Sequence, residues 1–212
     1  MTSVTSDSSS ASSREQATIH LETSALALAM PWHVDRYSHA ISLRQDGERS
    51  VALASVEGTS ADVWPSSAPV QSARKELISC DESAILTVGM SGQSHWSMSI
   101  EEKLGGSLVF DVACRTSAKE PLLTSTYRSE LGRLVVVSPT EAHLVSTTGE
   151  VLLRLETTSA GIAPPPALAM VGDLLTITAA ISLPENPRGR TLRWKYAIFP
   201  GKNDENKATD CN

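Results

Sequence analysis

The chain reads as all-β, an antiparallel β-sandwich or jelly-roll-like fold of about a dozen strands with little helix, and three observations predict it. Apolar residues recur at every second position in short runs. Turn residues separate those runs at roughly 8 to 12 residues, the spacing of all-β sandwiches. No stretch repeats at a fixed period, which disfavours a propeller or solenoid.

The clearest pattern runs from Ser94 to Arg115, on both sides of Gly105-Gly106. Alternation puts Trp96, Met98 and Ile100 on one face of a first strand, and Leu108, Phe110, Val112 and Cys114 on one face of a second. A two-residue loop would set Ile100 against Asp111, whereas a three-residue loop, Leu104-Gly105-Gly106, pairs Ile100 with Phe110, Met98 with Val112 and Trp96 with Cys114. Only the second register buries one continuous apolar face, with a glycine supplying the left-handed residue of a bulged turn.

In chain order, residues 1–15 are rich in Ser and Thr and too poor in apolar side chains to offset the entropy of ordering, so a disordered tail is expected. Ile19 and Leu21 alternate with polar neighbours, and 25–30 is a short apolar run stopped by Pro31, which reads as two strands or one bent strand. A second hairpin is expected around Asp46-Gly47, with Leu43 opposite Val51 across an odd loop. Residues 57–83 lose the alternation and read as a long connection with one helical turn near 73–79. Strands follow at 84–89 and about 122–128, and the β-branched run Leu134-Val135-Val136-Val137 reads as a strand covered on both faces. A third hairpin turns at Thr148-Gly149, setting Leu144 against Leu153 and Val145 against Leu152. Pro164-Pro165-Pro166 marks a stiff crossing, 174–183 and 191–199 are the last strands, and 201–212 is a polar tail. The organisation expected is one sandwich domain over 16–200 between two tails.

A net charge of −6, with no Lys/Arg cluster interleaved with aromatics, argues against nucleic acid as a partner. No apolar run reaches membrane-spanning length and no basic flank precedes an apolar stretch, so a cytoplasmic protein without a membrane partner is expected. Cys80, Cys114 and Cys211 match neither a zinc site nor a disulfide framework and read as free thiols, Cys114 being a buried one.

The outward face of the 94–115 hairpin carries His95, Ser97 and Ser99 against Asp111 and Arg115, with His95 opposite Arg115. A Ser, a His and an Asp share that face, but His95 and Ser99 lie four residues apart, about 13 Å along a strand, too far for a catalytic triad. The face reads instead as hydrated sheet or as a polar binding surface centred on His95 and Arg115. Of the four tryptophans, Trp96 and Trp194 fall in strand patterns and belong to the core, while Trp32 and Trp64 flank prolines in loops, where an exposed indole can stack on a sugar ring or anchor a protein.

One constellation points to metal chemistry. His33-Val34-Asp35 is a His-x-Asp, and with a distal His143 followed by Arg154 it resembles the iron- and 2-oxoglutarate-dependent oxygenases. That resemblance implies iron, or another divalent metal, held by His33, Asp35 and His143 in a cupin-like fold, with Arg154 on the cosubstrate. It requires His33 and Asp35 to point the same way from an extended segment. The leading expectation is different: a non-catalytic binding or assembly module without a cofactor, with carbohydrate or a protein surface as ligand and homo-oligomerisation through an exposed strand or sheet face.

Overall fold

The structure, a computed structural model, describes residues 16–45, 47–79, 82–103, 105–181 and 189–201. Within them the chain forms seventeen strands and no helix. In chain order these are β1 (Ile19–Glu22), β2 (Leu26–Met30), β3 (Trp32–His33), β4 (Arg36–Tyr37), β5 (Ala40–Gln45), β6 (Glu48–Ser55), β7 (Ser72–Leu77), β8 (Ser83–Ser91) and β9 (Ser94–Lys103), then β10 (Ser107–Thr116), β11 (Thr124–Ser129), β12 (Arg133–Ser138), β13 (Glu141–Val145), β14 (Val151–Thr158), β15 (Ala167–Val171), β16 (Leu174–Thr178) and β17 (Arg190–Pro200). The segments read as tails, with Cys80 and Cys211, lie outside the described residues apart from Gly201. No helix among the described residues is long and apolar enough to cross a membrane.

Two antiparallel sheets pack as a sandwich. The first has seven strands in the order β1-β2-β5-β6-β11-β16-β15, the second eight in the order β12-β13-β14-β17-β10-β9-β8-β7, and β3-β4 is a separate short hairpin. The last strand, β17, inserts between β14 and β10 and pairs along both. One apolar cluster fills the space between the sheets, from Leu21, Leu28 and Ile41 on one side to Ile100, Phe110 and Ile198 on the other.

The 94–115 hairpin has the predicted register: Ile100 faces Phe110, Met98 faces Val112, Trp96 faces Cys114, and Lys103 pairs with Ser107 across a three-residue loop. Gly105 and Gly106 both have positive φ, 85° and 76°, as a bulged turn requires. All seven predicted inward residues are buried, and Trp96 meets Trp194 edge to face at 5.9 Å. Burial pushes the Cys114 thiol up to about 12, so it is protonated at neutral pH and packs as a small apolar side chain.

Polar atoms also cross this core. The Tyr127 hydroxyl of β11 meets the Tyr196 hydroxyl of β17 at 2.7 Å, and His39 Nε2 meets Tyr127 at 2.8 Å. Trp194 donates its indole N–H to Ser125 Oγ at 3.2 Å. Thus the two sheets are joined by hydrogen bonds as well as by apolar packing.

Four expectations need correction. Residues 72–77 form edge strand β7 instead of a helical turn; five of the six are exposed, so no buried face leaves a period to read. Gln45 pairs with Glu48 across a two-residue turn, which sets Leu43 against Ser50 and leaves Val51 exposed, and a bulge after Ile41 restores Ile41 to Leu53. Leu144 does face Leu153, but a bulge then shifts Val145 onto Val151. The Leu134–Val137 run is edge strand β12, with Val137 exposed, because it ends the eight-stranded sheet and gains cover on one side only.

Residues 57–71 pass from one sheet to the other. Tyr37 N–H donates to Val70 at 2.7 Å, and Thr124 Oγ1 donates to the carbonyl of Ser66 at 3.0 Å. The passage is close: a Cβ on Gly89 would stand 1.5 Å from the Pro69 carbonyl oxygen, so β8 must carry glycine there.

Phe110 is fully buried and stacks on Tyr196 with ring centres 4.8 Å apart. Phe110→Ala is expected to cost about 3 to 5 kcal/mol, read by urea denaturation; a loss below about 1 would show that the ring is not core.

Candidate functional site

A concave site lies on the outer face of the seven-stranded sheet, away from the core. It is a pocket of about 750 Å³. Its floor is made by the small side chains Ala40 and Ala54, which pair across β5 and β6, with Arg128 of β11 next in the same row. Small residues on a sheet face leave a depression, and two segments rise around it: the β3-β4 hairpin and residues 55–60.

The hairpin is unusually tight. Asp35 N–H donates to the His33 carbonyl at 2.8 Å, closing a γ-turn on Val34, whose φ is 61°. Val34 is the one non-glycine residue with positive φ among those described, and a β-branched residue there is strained. The turn reverses the chain, so His33 pairs with Arg36 instead of continuing in line toward Asp35. This corrects the extended His-x-Asp reading.

The turn makes an ion pair of adjacent residues. Arg36 Nε and Nη2 grip Asp35 Oδ1 and Oδ2 at 2.8 and 2.9 Å. These bonds hold the Asp35 carboxyl below the usual carboxylate range, against a smaller opposing effect of desolvation. Arg36 is buried, only 4% exposed, and its Nη1 has no hydrogen-bond partner.

Across the pocket, His39 and Ser55 bond to each other twice: His39 N–H to the Ser55 side-chain Oγ at 2.8 Å, and Ser55 N–H to the His39 carbonyl at 2.8 Å. Ser55 Oγ in turn donates to Glu57 Oε1 at 2.5 Å, while Glu57 Oε2 is buried without a partner. Desolvation pushes the Glu57 carboxyl up to about 7, outweighing the Ser55 hydrogen bond and the charge of Arg36, which pull it down. Glu57 thus exchanges a proton near neutrality, and it does so beside a buried cation.

The residues singled out from sequence fall in four places. His33 and Asp35 line this pocket. His143 lies on β13 of the other sheet, bonded to Glu141 at 2.7 Å, and Arg154 sits over the Phe199 ring at 5.0 Å. His33, Asp35 and His143 do not form a ligand set, and no group of three metal-binding side chains is assembled among the described residues. His95 and Arg115 face each other as predicted and line a groove of about 590 Å³ on the outer face of the eight-stranded sheet, beside exposed Val88 and Met90. Trp32 and Trp64 are not free indoles: both are partly buried against the core, and Trp32 meets Tyr37 edge to face at 5.0 Å.

Arg36 and Glu57 escaped the sequence reading for separate reasons. Arg36 adjoins the His-x-Asp, but the turn puts β-branched Val34, not turn-prone Asp35, at positive φ, which residue types do not announce. Glu57 lies where the alternation ends, and nothing local marks a carboxyl buried by a distant hairpin.

Two titrations of opposite sign meet here. Burial lowers His39 from 6.5 to about 4, so the unfolded chain binds the extra proton and stability falls as pH drops through that window, by on the order of 3 kcal/mol in all. Glu57 is raised, so the folded chain holds its proton longer and stability is lost as pH rises from 4.5 through about 7. Glu57→Gln removes the second effect alone: in urea denaturation the variant should match the parent near pH 4.5 and exceed it above pH 7. Parallel curves would show that Glu57 is not desolvated.

No family model matches the chain, and no curated protein matches it. Among solved structures it is similar to heparinase III with methylated lysines, at 8% identity and a TM-score of 0.49, over 89% of this chain and 36% of that one. The chain therefore spans about a third of the length of that protein, and the likeness carries no conclusion about activity.

Proposed function

We propose that this protein is a β-sandwich binding module that holds a carbohydrate in the pocket between the β3-β4 hairpin and residues 55–60. One observation carries the reading: Arg36 Nη1 and Glu57 Oε2, polar atoms of two pocket-lining side chains, are buried with no hydrogen-bond partner in the protein. Buried polar groups are normally satisfied, and each one left alone costs about 1 to 3 kcal/mol. A polar ligand offsets that cost.

The rest of the lining agrees. The volume lies within the usual range for small-molecule sites, about 300 to 1,000 Å³. Val51, Val56 and the alanine floor offer an apolar surface for a sugar ring, and Ser38, Thr59 and Ser60 add hydroxyls. A second reading rests on the groove at His95 and Arg115, where exposed Leu86, Val88 and Met90 form an apolar stripe along β8 suited to a protein surface, a second copy of the chain included.

The two readings separate under one substitution. Ala54→Trp fills the pocket floor from a partly buried, outward position, so it should weaken saccharide binding at least tenfold by calorimetry while the thermal midpoint moves by only a few degrees. Saccharide binding that survives Ala54→Trp, or no saturable binding by the parent, would overturn the pocket reading.

A further inference from the structure

The bonding of Arg36 and Glu57 narrows the ligand further. Arg36 uses Nε and Nη2 on Asp35, which leaves the N–H groups of Nη1 without an acceptor. Ser55 Oγ accepts from His39 N–H and donates to Glu57 Oε1, so Oε1 is already an acceptor. A proton on Glu57 therefore belongs on Oε2, the oxygen with no partner. Both unspent positions are then donors. A ligand hydroxyl that accepts from both must turn its own hydrogen elsewhere, whereas a carboxylate brings two acceptor oxygens and no hydrogen.

The geometry points to a carboxylate-bearing polyhydroxy ligand whose binding draws a proton onto Glu57 Oε2. The inference rests on the pocket reading above and goes beyond it by naming the ligand's charge and the proton that travels with it. The Glu57 carboxyl already sits near 7 through desolvation, so the proton is available at little cost in neutral solution. With Glu57 ionised, the site would set three carboxylates, those of Asp35, Glu57 and the ligand, around Arg36, and like charges repel.

The other titratable or charged groups facing Glu57 and Arg36 are identifiable. His33 and Asp35 stand on the hairpin, and His39 lines the pocket between β4 and β5. Asp62 acts on Arg36 from the loop, Arg128 and Glu130 pair on the sheet, and Tyr127 and Tyr196 lie beneath. Asp35 and Asp62 are held below the usual carboxylate range, His39 titrates near 4, and burial raises both tyrosines. His33 is the remaining histidine at the pocket and serves as the control.

The test uses a matched pair of probes, gluconate and sorbitol, which differ only in a terminal carboxylate against a hydroxymethyl group. Calorimetry on the full chain at pH 5.5 and 8.5 should show gluconate binding more tightly than sorbitol at pH 5.5 and losing about 30-fold by pH 8.5, as a group titrating near 7 dictates. Glu57→Gln places an amide donor at the Oε2 position and should flatten the gluconate profile, while His33→Asn should leave the slope in place. Gluconate binding that is independent of pH in the parent, or that falls equally in Glu57→Gln, overturns the proton linkage while pocket binding stands. Sorbitol binding as tightly as gluconate overturns the carboxylate assignment. If neither probe binds at either pH, and saccharides also fail in the Ala54→Trp comparison, the pocket reading itself is lost together with the inference.

Discussion

The hydrogen bond between the hydroxyls of Tyr127 and Tyr196 is the constraint on which the structure most depends. Each tyrosine comes from a different sheet, and each hydroxyl is far from water, so each must find a partner or cost roughly 1 to 3 kcal/mol. Apolar packing is tolerant of small slides between sheets; two hydroxyls that must meet at 2.7 Å are not. Because Tyr127 also bonds His39, and His39 is tied to Ser55 through its backbone, the demand reaches the outer face of the seven-stranded sheet. Ser55 then holds Glu57. The wall of the pocket is thus positioned from the interior outward.

The fold was legible where a strand has one wet face and one dry face. In β9 and β10 every inward side chain is apolar and every turn residue has a reason, so the register follows from residue types alone. It was illegible at the sheet edges. β7 and β12 lack full cover, and their sequences carry either no period or the wrong one for their place. The bulges in β6 and β14 were also hidden, because one extra residue shifts the facing pairs without changing the composition of either strand.

The candidate site was legible only in part, for a related reason. His33 and Asp35 attracted notice as metal ligands, and they do sit at the pocket, but the γ-turn between them gives Asp35 to Arg36. His95 and Arg115 could be placed opposite each other because strand pairing alone decides it. Arg36 and Glu57 meet through tertiary structure, across a hairpin and a loop with no shared period. Their chemistry depends on burial, which a sequence reveals only through the pattern of its neighbours.

Gly89 carries a different kind of consequence. A side chain there would have to pass through the Pro69 carbonyl, so every viable variant of this chain should keep glycine at that position. The residue also borders the groove of His95 and Arg115. In a mutational scan it would look as intolerant as a ligand contact, and its neighbourhood would tempt an observer to count it as one. Its constancy would record only how closely the chain passes over β8 on its way between the sheets.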